Sequence, residues 1–157
     1  MNKFINRRQI IFGSIFSYYL YSSVVHSSQK IPIHVYKDSN CGCCKKWIEI
    51  LENNDFSVTS EDMFPSDLVK LKVKNNIPMN MISCHTAKVF NYFIEGHVPP
   101  SDIKSLINKK VDVIGLAVPG MPYGSPGMGP EDKREAFDVF LISKDGSKVY
   151  NHYDSKN

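Results

Sequence analysis

The chain has 157 residues, 42% hydrophobic and 22% charged, which suits one globular domain with a real core and excludes a disordered chain. Its formal charge of +3 resides at the front: setting Lys3, Arg7 and Arg8 aside from 19 basic residues leaves 16, against 16 acidic. A neutral body offers no electrostatic basis for binding nucleic acid or an anionic membrane surface.

Residues 1–27 read as a cleaved secretory signal. The basic start leads into Ile10–Tyr21, an apolar stretch of about a dozen residues, and Val25-His26-Ser27 supplies a small-x-small cleavage site. The stretch is too short and too rich in Ser and Tyr for a stable spanning helix, so no membrane insertion is expected after cleavage. Arg7-Arg8-Gln9-Ile10-Ile11 resembles the bacterial twin-arginine pattern, but paired arginines are also ordinary in such leaders and the route stays open. The mature domain is then 28–157.

Ile31–Tyr36 reads as a buried strand, and Cys44–Leu51 as a helix with Trp47, Ile48 and Leu51 on one face. Phe56–Ser60 alternates like a strand, and Pro65–Val73 forms a second helix with Pro in its first turn. Asn75-Asn76-Ile77-Pro78 breaks it. A β-rich segment spans Thr86–Ile94, Pro99–Asp102 caps a short helix over Ile103–Asn108, and Val111–Val118 is apolar. Residues 117–130 hold eight of the chain's eighteen Gly and Pro residues and form a loop. Phe137–Ile142 and Lys148–Tyr153 make a hairpin, with Asp145-Gly146 at its turn. This order predicts a single α/β domain with a mixed sheet flanked by helices. The C-x-x-C pair Cys41 and Cys44, following the first strand, is the thioredoxin-like signature.

The chemistry concentrates at Cys41-Gly42-Cys43-Cys44, where three thiols meet the start of a helix. A helix N-terminus favours thiolate over thiol, so depressed thiol pKa values are expected there. Disulfide exchange through Cys41 and Cys44 leaves Cys43 surplus. Structural zinc wants two separated ligand pairs, whereas Cys84 stands beside His85 with no partner cysteine. Neighbouring helical residues also point about 100° apart, which makes one small ion awkward for Cys41, Cys43 and Cys44 together. Plain stapling is poorly served by three thiols so close in sequence. Polynuclear Cu(I) suits the pattern best: thiolate sulfur bridges ions, Cu(I) prefers soft ligands, and four thiolates balance four monovalent ions.

Among other donors, Met63, Met79 and Met81 read as core filler. Met121 and Met128 lie in the Gly/Pro loop, where packing explains them poorly. His85 and His97 stand open between structural and ligand roles, while His34 and His152 are expected to be uninvolved. Glu131–Glu135 reads as a solvated charged segment.

Four motifs occur together: Tyr36-Lys-Asp-Ser-Asn-Cys-Gly-Cys-Cys44, Ser83-Cys-His-Thr-Ala87, Glu95-Gly-His-Val-Pro99 and Gly115-Leu-Ala-Val-Pro-Gly-Met-Pro-Tyr-Gly-Ser-Pro-Gly-Met128. Together, from about Ile33 to Tyr153, they resemble the CopG-type periplasmic copper-resistance proteins. The resemblance implies a thioredoxin-like fold in a Gram-negative periplasm and a Cu(I) cluster on Cys41, Cys43, Cys44 and Cys84. His85, His97 and Met121 match motif positions near that site. It further implies a role in copper tolerance beside other copper-handling proteins, with switching between Cu(I) and Cu(II) as an activity that the residues leave open. One departure is visible: an acidic residue usually follows the last Pro-Gly-Met, where this chain has Gly129-Pro130.

Overall fold

The computed structural model describes residues 29–156, so the expected leader over 1–27 lies outside the described residues. The apolar run after it forms strand β1 (Ile31–Lys37), and the cysteine turn opens helix α1 (Gly42–Glu52). Strand β2 (Phe56–Asp62) returns parallel to β1, with Ile33 opposite Val58. Helix α2 (Pro65–Lys74) begins with Pro65, at a position where a missing N–H breaks no helical bond. Strands β3 (His85–Val89) and β4 (Tyr92–Gly96) form an antiparallel hairpin, and helix α3 (Pro100–Lys109) leads to β5 (Gly115–Val118), parallel to β4. Strands β6 (Phe137–Ser143) and β7 (Gly146–Tyr153) close the domain as a hairpin.

The seven strands form one mixed sheet in the order β2-β1-β3-β4-β5-β6-β7, as the α/β reading predicts. Strand β1 is antiparallel to β3, β3 to β4, and β4 is parallel to β5. Strands β1, β4 and β5 therefore run the same way. Their carboxyl ends meet at one edge of the sheet, beside the amino end of β3. Crevices at the carboxyl ends of parallel strands are where α/β sheets place their ligands.

Strand alternation divides the interior between two faces. Ala87, Val89, Ile94, Leu116 and Val118 pack with Trp47 and Leu51 of α1 and with Ile103 and Leu106 of α3. Ala117 and Ile142 turn the other way, onto Ile77 and Met81, so Met81 is the core filler expected of it, whereas Met79 is 67% exposed and is not. By the same alternation His85 shares the first face with Ala87, while Thr86 and Glu95 look toward the second. Among the described residues, no helix is long and apolar enough to cross a membrane.

Two boundaries differ from expectation. The β-rich segment over Thr86–Ile94 is two strands, because Phe90 adopts a left-handed backbone (φ 51°) and reverses the chain without a glycine to signal it. In the last hairpin Ser143 pairs with Gly146, so the turn residues are Lys144-Asp145, one position before the expected Asp-Gly. Gly146, at φ 122°, opens β7 instead.

Trp47 joins the core to the site edge: it is fully buried, and its indole Nε1–H donates to the Val98 carbonyl at 2.9 Å. We expect Trp47→Ala to lower unfolding free energy by about 3–5 kcal/mol, read by denaturant titration.

Candidate metal centre

The turn between β1 and α1 sets the first three sulfurs. Cys41 is the N-cap of α1, with extended backbone, and its Sγ accepts the Cys44 N–H at 3.3 Å. Because Cys41 stands before the helix, its side chain folds back over the first turn. The 100° separation of successive helical residues therefore constrains only Cys43 and Cys44. Cys84 enters from the irregular segment ahead of β3. Its Sγ lies 3.8 Å from that of Cys43 and 3.5 Å from that of Cys44, and Cys41 and Cys43 are 3.5 Å apart. All four sulfurs fall within 4.8 Å of one another. The expected difficulty of gathering three turn thiols about one point is thereby removed.

Cys41 and Cys44 are disulfide-bonded, whereas Cys43 and Cys84 are free thiols. The bonded pair is the C-x-x-C pair of the exchange reading.

Cys84 also belongs to a second group. Its Sγ is 3.3 Å from His85 Nδ1 and 3.3 Å from His97 Nε2, and the three donor atoms lie within 4.8 Å. Both histidines are completely buried, with ring centres 5.0 Å apart and nearly perpendicular planes. His97 Nδ1 lies 2.8 Å from the Pro126 carbonyl, which can only accept, so the neutral ring carries its proton there. Its Nε2 lone pair therefore faces Cys84. His85 packs on Trp47 at 4.4 Å, and its Nε2 is a buried atom without a hydrogen-bond partner.

Electrostatics keep this site uncharged. Burial, helped by neighbouring Cys43, pushes the Cys84 thiol up to about 12. The expectation of depressed thiol pKa values is thus corrected for Cys84: its Sγ lies beside the first turn of α1, yet it loses more hydration on burial than its neighbours restore. Burial lowers both imidazoles, with His97 and Lys72 adding to the effect at His85 and the Pro126 carbonyl opposing it at His97.

The Gly/Pro loop covers the first turn of α1. A Cβ on Gly127 would lie 2.9 Å from Trp47 N and 3.0 Å from the Cys43 carbonyl, and the residue has φ 87°, so both space and backbone demand glycine. Met128 is half-buried beside it, while Met121 follows Gly120 with φ 49° and is 42% exposed. Pro126 and Gly127 are thus loop residues that touch the site. Away from it, His34 bonds Thr59 and His152 bonds Asp138.

Residue patterns alone passed over Lys72 and Glu95, a buried ion pair at 2.5 Å that grips the Ser83 backbone. A signal existed for Lys72, since it stands four positions after Leu68 on the buried face of α2.

Two solved structures, "Copper resistance protein copG- Form 1" and "Copper resistance protein copG- Form 2", are each 42% identical to this chain. For the first, the match covers 80% of this chain and 99% of the other, with a TM-score of 0.75. For the second, the figures are 79%, 98% and 0.72. The chain belongs to the CopG family of copper resistance proteins. Residues 81–128 also match a family described as "Protein of unknown function, DUF411", a span that holds Cys84, His85, His97 and most of the Gly/Pro loop. No curated protein matches. For a CopG-family chain a cluster of four cysteines fits copper binding, and copper prefers the sulfur and imidazole donors gathered here.

Gly127→Ala should lift the loop from α1 at a cost of about 1–3 kcal/mol. The expected readouts are a lower unfolding midpoint and faster alkylation of Cys43. Both imidazoles sit below the ordinary value of 6.5, so the unfolded chain takes up protons where the native chain does not. Their contribution to stability is full above 6.5 and is lost as pH falls from there through the lowered folded values. The denaturant midpoint of the metal-free protein should fall across that window, and His97→Gln should lessen the fall.

Proposed function

We propose that this chain is an exported, periplasmic Cu(I)-binding protein of copper tolerance that carries several copper ions as cargo. Cys41, Cys43, Cys44 and Cys84 are the sulfur ligands, His85 and His97 the nitrogen donors beside Cys84, and Met121 a donor of the covering loop. The observation that carries this reading is the shared position of Cys84, within 4.8 Å of three cysteine sulfurs on one side and two imidazoles on the other. The C-x-x-C turn after β1 also supports a thioredoxin-like description of the fold, and the basic and apolar start of the chain supports export through a leader over 1–27, by the general or the twin-arginine route.

Full loading needs the Cys41–Cys44 bond opened. Two electrons and two protons from a thiol reductant convert it to two thiols. Each thiol then gives up its proton as Cu(I) arrives, so apparent affinity rises with pH. Bridging sulfurs let an ion move between donors without full hydration, which suits hand-over to other copper-handling proteins. The soft sulfur side favours Cu(I) and the imidazole side accepts Cu(II) as well, which supports cycling between the two states as an activity.

The Cys41–Cys44 bond favours a second reading, thiol-disulfide exchange by that pair. Cys43→Ser separates the two: exchange survives it, copper loading does not.

Anaerobic titration of the reduced protein with Cu(I), against a competing chelator, should give more than one copper per chain, and Cys84→Ser should cut both stoichiometry and affinity. One ion or fewer, or an unaffected Cys84→Ser, would sink the cluster.

A further inference from the structure

Ile82, Ser83 and Cys84 precede the first rung of β3, where His85 pairs with Lys37, so the sheet ladder does not hold them. Backbone groups outside a ladder need other partners to keep one position. Both polar backbone groups of Ser83 find theirs in one buried ion pair. Lys72 Nζ donates to the Ser83 carbonyl at 2.6 Å, and the Ser83 N–H donates to Glu95 Oε1 at 2.6 Å. The two side chains are 1% and 0% exposed and meet at 2.5 Å. Gly96 completes the grip, since a Cβ there would come within 2.7 Å of Ser83 Oγ.

Stability does not explain this arrangement. Burying two charges costs hydration that their attraction only partly returns, and an apolar pair of similar volume often serves a fold as well or better. What an apolar pair cannot do is bond both sides of the residue that precedes the shared sulfur. Helix α2 supplies the lysine and β4 the glutamate, so the clamp also refers Cys84 to the sheet that carries His85 and His97.

We propose that Lys72 and Glu95 are positioning residues, which hold Cys84 Sγ where it faces the turn thiols and the imidazoles at once. The proposal rests on the copper-binding reading for its consequence, and on the bonds to Ser83 for its cause. Residues that orient metal ligands typically contribute about 10–100-fold in metal affinity.

The test uses the full chain with Lys72→Met and Glu95→Leu combined. Lys72→Met alone strands a buried carboxylate and is expected to unfold the protein, whereas the double variant removes both charges together. Ser83 is half-buried, so its freed groups reach water. Three measurements are made: thermal unfolding of the metal-free protein, iodoacetamide alkylation of Cys84 with Cys43 as internal reference, and Cu(I) competition. The expected result is an unfolding temperature at or above wild type, selectively faster alkylation of Cys84, and Cu(I) affinity about 10–100-fold weaker. Lys72→Met combined with Glu95→Gln, which leaves no buried charge and keeps an oxygen for the Ser83 N–H, should restore slower alkylation. A folded double variant with wild-type alkylation and affinity overturns the proposal. So does an affinity loss that merely tracks a lowered unfolding temperature. If wild type itself takes no Cu(I), the copper reading fails, and the alkylation arm decides the positioning role without it.

Discussion

The placement of a single sulfur governs this molecule's chemistry. Cys84 Sγ stands where the amino end of β3 meets the carboxyl ends of β1, β4 and β5, and each neighbouring element contributes one part of its surroundings. The β1–α1 turn brings three cysteine sulfurs, the end of β4 brings His97, and the loop after β5 brings the Pro126 carbonyl that orients that ring. Move Cys84 by an ångström or two and the thiol group and the imidazole group cease to share a member.

Charge supports the proposal of a monovalent soft cation at this site. The metal-free Cys84 thiol and both imidazoles are held neutral by burial, and the Lys72–Glu95 pair beside them adds no net charge. Replacing a thiol proton with Cu(I) leaves the buried charge unchanged. Four thiolates around one divalent ion would leave two negative charges away from water, a costly arrangement without compensating partners. The Cys41–Cys44 bond adds a redox condition, because those two sulfurs are able to bind a metal as thiolates only after reduction.

Much of the fold was legible because it follows from local periodicity. The apolar run of β1, the helix carrying Trp47 and Leu51, the proline-started α2 and the closing hairpin all announce themselves within a few residues. Where the reading slipped, a residue adopted a backbone its type rarely takes: Phe90, left-handed, splits β3 from β4. The cysteine cluster was legible by composition, and the four-motif resemblance extended it to both histidines. The Cys84 pKa was not, since its rise comes from burial by neighbours that adjacent residues do not name.

Sequence alone determined the soft-donor inventory, the position of three thiols at a helix start and the loop rich in Gly and Pro, because these depend on residue type and short-range geometry. Only the tertiary structure decided that Cys84 closes the thiol group while touching two imidazoles, that His97 presents its Nε2 to that sulfur, and that Lys72, on a separate helix and outside every motif, clamps the peptide before it. The reason is physical: hydrogen bonds and burial across a sheet join residues far apart in the chain, and no local pattern encodes which of them will meet.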